Sequence, residues 1–392
     1  MAFYRSLRIF NFRRSASNFK AAVNHMRLYC SMDCGNEVIL ETVEGKGIIT
    51  LNRPKALNTL NLSMIRTIMP QIRIWEEDPH ISMIMIKGTG GKAFCAGGDV
   101  RAITESGKEG TSYHKDFFKE EYILNNAIGT LQIPYIALID GITMGGGVGL
   151  SVHGTFRIAT ERTLFAMPET AIGLFPDVGG SYFLSRLGGR LGIYLALTGY
   201  RLKGIQVQKA GVATHYVESS KLENLQADLL ALNKPSQLDI SHVIETYQQQ
   251  SAKSSLTGLD DPDFELHPYK EKMNECFGQK TLEQIFKALE NEGSIWALKQ
   301  LETLKKMSPT SMKVALREIQ EGADLDMQDC FEMEYRLSQR FCEDKDFYEG
   351  VRAVLVDKDN APKWEPSNVE EVTDEHVDWY FSQLPEHREL RL

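Results

Sequence analysis

The 392-residue chain has no apolar run near the roughly 18 residues that a bilayer-spanning helix needs, which excludes a helical membrane span. It has no basic excess either. Lys and Arg total 44 against 53 Asp and Glu, a formal net charge of -9, which argues against nucleic-acid binding through a broad basic face. A local pair of cations can still hold a small anion. Six cysteines (Cys30, Cys34, Cys95, Cys276, Cys330, Cys342) are scattered without a CxxC pair or zinc spacing, so reduced, mostly buried thiols are expected. Cys95 is the one thiol inside a motif, but no His lies near it in sequence to activate it as a nucleophile. No His/Asp/Glu set has metal-ligand spacing, and neither a low-complexity tract nor a heptad run occurs. The terminal Leu390-Arg391-Leu392 is not a peroxisomal address. The last absence is local: from Met1 to Met32 there is no acid, while Arg5, Arg8, Arg13, Arg14, Lys20 and Arg27 fall among serines. That leader reads as a mitochondrial transit peptide; a disordered basic tail is the alternative.

After the leader, residues 37–42 alternate as a strand, 44–47 turn, and 48–51 return as its partner. Between Asn61 and Glu77, the apolar residues Leu62, Ile65, Met69, Ile72 and Trp75 recur at helical spacing. Residues 82–86 form an apolar run too short for a helix, hence a buried strand. The cycle repeats with a helix over 113–129, a strand over 135–139, a glycine cluster opening a short helix, and a strand over 156–160. This alternation predicts an α/β fold of stacked ββα units over 33–217. From about Glu218 glycine thins out and charged helical stretches dominate (236–250, 280–292, 295–307, 311–320, 327–342). The region 218–392 is therefore expected to be helical and packed on the core, with 256–267 a polar linker.

Four segments carry the chemistry. They are Asn52 to Asn58, Lys92 to Asp99 with Gly97 and Gly98, Gly141 to Gly149 with Gly145, Gly146 and Gly147, and Phe165 to Glu169 continuing to Gly173 through Gly180. The second and third are strand-to-helix junctions. Such a junction leaves backbone N–H groups free at a helix start, where partial positive charge favours an anion. Glycine lets a ligand oxygen approach without a Cβ in the way. Two such N–H groups aimed at one point form an oxyanion hole. One glycine run alone would more simply be a tight turn, and neither matches Rossmann or P-loop spacing.

Taken together, the segments NRPxxxN, AFCAGGD, GxxxGGGxGL and MPE followed by GLFPDVGG resemble the crotonase (enoyl-CoA hydratase/isomerase) superfamily from about residue 36 to 211. The segment Asp346 to Ala353 resembles its C-terminal helix, and 232–279 is the stretch least clearly matched. The resemblance implies a crotonase-like spiral of ββα units with a helical C-terminal region, and an oxyanion hole from the N–H groups of Gly98 and Gly146. It implies a loop of Arg53, Lys55, Ala56 and Leu57 beside the nucleotide end of CoA, where Arg53 and Lys55 make electrostatic sense against phosphate but would serve equally as solvated charges. No cofactor is implied beyond the CoA of the substrate; self-association is left open.

The carboxylates separate the reactions. Hydratases of the superfamily use two glutamates; the first would fall at position 149, which is Gly149, and the second on Glu169. Asp177 stands where hydratases carry a small residue, and with Glu169 it resembles a thioester-hydrolase branch acting on short β-hydroxyacyl-CoA. In that branch an acid of the preceding long helix helps hold substrate, which matches Glu121. Independently of resemblance, hydrolysis needs attack on the thioester carbon by water or carboxylate, and a proton for the leaving thiolate. Glu169 is the candidate base or nucleophile, and Asp177 the group that orients substrate or water and moves protons. Burial and like-charge proximity would divide acid from base work. The competing roles are helix caps for Glu169 and Asp177 and a solvated charge for Glu121. His153 is expected as a packed core histidine, and His215 on a strand. A hydratase or isomerase is the second functional reading; a non-enzymatic CoA-binding or RNA-associated scaffold is the third.

Overall fold

The computed structural model describes residues 37–251 and 257–392. The expected leader, 1–32, lies outside the described residues. Strands β1 (Val38–Val43) and β2 (Lys46–Leu51) form a hairpin in which Val43 faces Lys46. The turn is therefore only Glu44-Gly45, shorter than expected. Both take positive φ (46° and 77°), the backbone of a two-residue turn whose twist matches the strands.

From β2 onward the chain winds in register. Strands β3 (Met83–Gly88), β5 (Tyr135–Ile139), β7 (Phe156–Ala159) and β10 (His215–Tyr216) extend one sheet in the order β1-β2-β3-β5-β7-β10. Strands β4 (Ala93–Cys95), β6 (Ile142–Met144), β8 (Leu164–Ala166) and β9 (Leu202–Lys203) build a second sheet. Each turn of the spiral thus leaves one strand in each sheet and then a helix. These helices are α1 (Leu62–Glu77), α2 (Val100–Glu109), α3 (Tyr113–Thr130), α4 (Gly146–Gly149), α5 (Gly180–Ser185), α6 (Leu191–Thr198) and α7 (Ile205–Lys209). The expected α/β spiral of ββα units is what the chain forms.

The apolar run of β3 is explained by burial on both faces. Ile84 and Ile86 join the main core, while Met83 and Met85 join a second cluster with Ile136, Leu138, Leu225, Leu229, Ile240 and Ile244. That second cluster is closed by α8 (Leu222–Ala231) and α9 (Gln237–Gln249). Lys46, buried at the start of β2, donates to the carbonyls of Leu230 (3.0 Å) and Leu232 (2.5 Å), satisfying the free end of α8 with a cation.

No strand follows Tyr216 among the described residues. The helices there are α10 (Lys270–Cys276), α11 (Leu282–Glu292), α12 (Ile295–Leu304), α13 (Pro309–Gly322), α14 (Met327–Phe341), α15 (Asp346–Val351) and α16 (Asp374–Phe381). Val38–Leu392 form one compact unit. One expectation fails here. Of the polar linker, the described part 257–267 buries Leu259, Phe264 and Leu266, and Asp261 forms a buried ion pair with Lys209. Its polar composition hides three apolar anchors too widely spaced to signal an element. No helix among the described residues is long and apolar enough to cross a membrane.

Candidate active site

The two glycine junctions meet. At each, a glycine with positive φ precedes the expected donor: Gly97 (116°) before Gly98, and Gly145 (44°) before Gly146. An L side chain is strained in that region. A Cβ placed on Gly146 would fall 3.3 Å from the Gly98 nitrogen, and one on Gly147 would fall 2.1 Å from the Cys95 carbonyl oxygen. The start of α4 is therefore pressed against the end of β4, with both N–H groups at one spot. Gly146 opens α4, so its N–H has no acceptor within the helix, and the backbone hydrogen bonds around residues 96–100 use Ala96, Asp99 and Val100 as donors, not Gly98.

Two carboxylates border that spot, and a third, Asp177, is near enough to raise both. Glu121 Oε1 lies 2.6 Å from the Cβ position of Gly146, and Glu169 Oε1 lies 3.0 Å from that of Gly145. Glu121 is only 2% exposed, and Glu169 and Asp177 5% each. The reading of Glu121 as a solvated charge is overturned. Its neighbour Glu120 takes the surface role, pairing with Arg66 at 2.7 Å, while Glu121 faces inward on a helix enclosed by other helices.

The helix-cap readings do not hold either. Glu169 begins a 3-10 turn, Glu169–Ile172, without a side-chain cap bond. Helix α5 has Gly179 as its N-cap. The Asp177 carboxylate instead accepts a hydrogen bond from the Tyr122 hydroxyl at 2.9 Å.

Burial in low dielectric disfavours charge, and three like charges disfavour it further. Burial, then Asp177, then Glu169 hold the Glu121 carboxyl well above the usual range. Burial and then Asp177 do the same to Glu169. Asp177 is pushed by burial only to about 7, because the Tyr122 hydroxyl pulls it back down. Of the three, Asp177 is the one that a hydrogen-bond donor holds toward its anionic form. Glu121 Oε1 and Glu169 Oε2 are buried without a hydrogen-bond partner among the described residues, a costly arrangement that suits groups meant to meet a ligand.

The 53–57 loop is a 3-10 turn, Pro54–Ala56, ending on Leu57 and Asn58 at φ 52° and 55°. The buried Asn58 amide pins it, donating to the Thr89 and Ala93 carbonyls (3.0 and 2.9 Å) and accepting from the Arg53 N–H at 2.8 Å. Arg53 is turned inward, 3.7 Å from Asp99 and bonded to the Thr59 carbonyl at 2.6 Å. Lys55 and Ala56 are exposed, and Leu57 is half-buried. Of the two expected cations, only Lys55 points to solvent.

The remaining candidates take structural places. The Cys95 thiol is buried and pushed up to about 12 by that burial, so it supplies no thiolate. His153 donates from Nε2 to the Val178 carbonyl at 2.8 Å and sits edge-on to Phe331; burial holds it down at about 4, hence neutral. His215 lies on β10 and bonds the Thr214 hydroxyl at 2.8 Å. No metal-ligand cluster occurs among the described residues.

Sequence reasoning missed two residues. Tyr122 carried no signal beyond its place beside Glu121. Glu334 did carry one: it interrupts the apolar stripe Cys330, Phe331, Leu337 and Phe341 of α14. It is fully buried and accepts from the Gly179 N–H at 2.7 Å and the Ser181 N–H at 2.9 Å. Burial raises it to about 8 against the pull of these donors.

Comparison with known proteins places this geometry. A model of the enoyl-CoA hydratase/isomerase family matches residues 46–381. The chain is 59% identical to "3-hydroxyisobutyryl-CoA hydrolase, mitochondrial" of Xenopus laevis over 88% of both chains. It is 54% identical to the Homo sapiens protein of the same name over 92% of both. Among solved structures, it is similar to a carnitinyl-CoA dehydratase from Mycobacterium thermoresistibile (TM-score 0.82, 34% identity, covering 91% of this chain and 99% of that one). It is similar too to an enoyl-CoA hydratase from Rhodobacter sphaeroides (TM-score 0.81, 32% identity, 91% and 100%).

Proposed function

The chain belongs to the enoyl-CoA hydratase/isomerase family, and from that premise we infer that it hydrolyses the thioester of 3-hydroxyisobutyryl-CoA. The products are free CoA and the hydroxy acid, a step of valine catabolism carried out in the mitochondrion. 3-Hydroxypropionyl-CoA, lacking one methyl, is the expected second substrate. CoA enters as part of the substrate, and no separate cofactor is needed. The acidic balance of the chain, -9, supports a small-molecule substrate over nucleic acid.

The observation that carries this reading is the pairing of Glu169 with Asp177 beside the Gly98 and Gly146 N–H groups, with no carboxylate at 149. A Cβ on Gly149 would fall 2.8 Å from both Asn125 Oδ1 and Val178 Cβ, so the position has no room for a hydratase glutamate. The hydrolase-named relatives are also much closer in sequence, 54–59% identical, than the two hydratase and dehydratase structures.

In the reaction, the Gly98 and Gly146 N–H groups would take the thioester oxygen and the charge that develops on it. Glu169, at the rim of that hole, attacks the carbonyl carbon directly or takes a proton from the attacking water. The Glu169–Asp177 pair shares one proton. Glu169 passes it to the Asp177 anion before it attacks or takes up the water proton, and Asp177 then delivers it to the departing CoA sulfur. On the direct route, water next opens the mixed anhydride to the hydroxy acid and restores Glu169. Glu121, its Oε1 unpartnered beside Gly146, accepts the hydrogen bond of the substrate β-hydroxyl. Lys55 faces the CoA phosphates.

The test is thiol release from 3-hydroxyisobutyryl-CoA against hydration of crotonyl-CoA, followed by absorbance. Hydration without thiol release would refute the hydrolase reading. Glu169→Gln with unaltered thiol release would refute Glu169 as base or nucleophile, and CoA-ester binding without release or hydration by the unaltered protein would return the scaffold reading. Single turnover in heavy-oxygen water separates the two routes: label first in the protein carboxylate marks covalent attack, and label first in product marks an activated water.

A further inference from the structure

The turn that carries Asp177 is held in an unfavourable conformation. Val178, the next residue, is β-branched yet has φ 54°, a region such residues avoid for steric reasons. Strain of this kind persists only where the surroundings impose it. Two groups do so here. The His153 ring donates to the Val178 carbonyl at 2.8 Å. On the other side, Glu334 Oε2 accepts from the Gly179 N–H at 2.7 Å, and Oε1 accepts from the Ser181 N–H at 2.9 Å and the Ser181 hydroxyl at 2.5 Å.

Glu334 is an expensive choice for that task. It is 0% exposed, the Asp177 charge repels it, and it in turn raises the equally buried Glu318 on α13. A local Ser or Asp cannot cap the helix from position 179, because Gly179 has φ 84° and a Cβ there would fall 2.4 Å from the His153 ring. What the distant carboxylate adds is two acceptor oxygens a fixed distance apart, which lock residues 179 and 181 together and so fix the backbone that leaves Asp177.

We propose that Glu334 is a positioning residue for the hydrolysis, acting through Asp177 by clamping the Val178 turn from α14. The proposal rests on the reading of Asp177 as half of the reacting pair. It places a determinant of turnover in the helical C-terminal half, on a residue that meets neither substrate nor the oxyanion hole.

The test is steady-state thiol release by the full chain carrying Glu334→Gln, Ser181→Ala, Asp177→Asn, and the Asp177→Asn/Glu334→Gln pair. Glutamine keeps the volume but turns an amide donor toward one of the two N–H groups. Misplacement of a reacting group by about 1 Å lowers turnover by roughly 100-fold, so Glu334→Gln is expected to lower kcat by roughly 10- to 100-fold with little change in KM. Ser181→Ala, which removes only the hydroxyl donor, should lower kcat less. On top of Asp177→Asn, Glu334→Gln should cost nothing more, because the group it positions is gone. Wild-type kcat in Glu334→Gln, or an undiminished further loss in the double variant, would overturn the proposal. Should Glu334→Gln not fold, Ser181→Ala with and without Asp177→Asn makes the same comparison. Full turnover by Asp177→Asn would bring down the role of Asp177 itself, and with it this one.

Discussion

Gly146→Ala is the sharpest perturbation of the oxyanion hole, because its effects on activity and on stability separate. Gly146 opens α4, so alanine is acceptable to its backbone. The added methyl would sit 3.3 Å from the Gly98 nitrogen, close to the distance at which an oxygen accepting from that N–H must lie. It would also sit 2.6 Å from Glu121 Oε1, so that carboxylate end has to retreat by about 0.8 Å to ordinary contact. A side-chain tip can do so cheaply, and the stability cost is about 1 kcal/mol, a melting shift of roughly 2 °C in a chain of this size. Activity fares differently. Losing one oxyanion donor costs roughly 100- to 1,000-fold in kcat, about 3–4 kcal/mol, and the methyl crowds the space between the two glycines. Thiol release should therefore fall by at least roughly 1,000-fold while thermal unfolding barely moves. Gly147→Ala is the matched control. Its methyl would fall 2.1 Å from the Cys95 carbonyl oxygen, a backbone atom that cannot move aside, so stability should be lost first. Gly146→Ala with turnover close to that of the unaltered protein would refute the placement of the oxyanion hole.

Other outcomes follow from the same geometry. If the Asp177 anion is the form that starts the reaction, kcat/KM should rise with pH through about 7; Tyr122→Phe removes the hydrogen bond that favours that anion, so the midpoint should move to higher pH, and an unmoved or lower midpoint would refute the assignment. Gly149→Glu should not install crotonyl-CoA hydration but should lower the melting temperature, since the site beside Asn125 and Val178 is filled. Lys55→Ala should raise KM for the CoA ester, more so at low salt, and leave a truncated thioester without phosphates unaffected; equal effects on both would show that Lys55 does not meet phosphate.

Much of this site was legible in the order of residues along the chain. Glycines at 97, 98, 145 and 146 read as close-approach positions, and the structure gives Gly97 and Gly145 positive φ and crowds a Cβ at Gly98 and Gly146. Strand β5 was read to the residue and α3 to within one, since apolar runs and helical periodicity are local properties. Where the reading failed, the cause was nonlocal. Glu120 and Glu121 are chemically identical in sequence, and only the packing around α3 sends one to Arg66 in solvent and the other into the site. The 257–267 segment looked polar because its three buried apolar side chains join a core built by distant parts of the chain.

The sequence by itself determined the spiral of ββα units, the two glycine junctions, and the presence of Glu169 and Asp177 without a partner acid at 149. The spiral and the junctions follow from residue type and spacing, which act over a turn of helix or a pair of strands; the meaning of positions 149, 169 and 177 came from the family resemblance. Tertiary structure alone decided the charge states. It buried three carboxylates within reach of one another, gave only Asp177 a hydroxyl donor, and brought Glu334 from 155 residues away to hold the turn behind it. Proton affinity depends on the dielectric and on neighbouring charges, and both are set by parts of the chain that no local pattern connects.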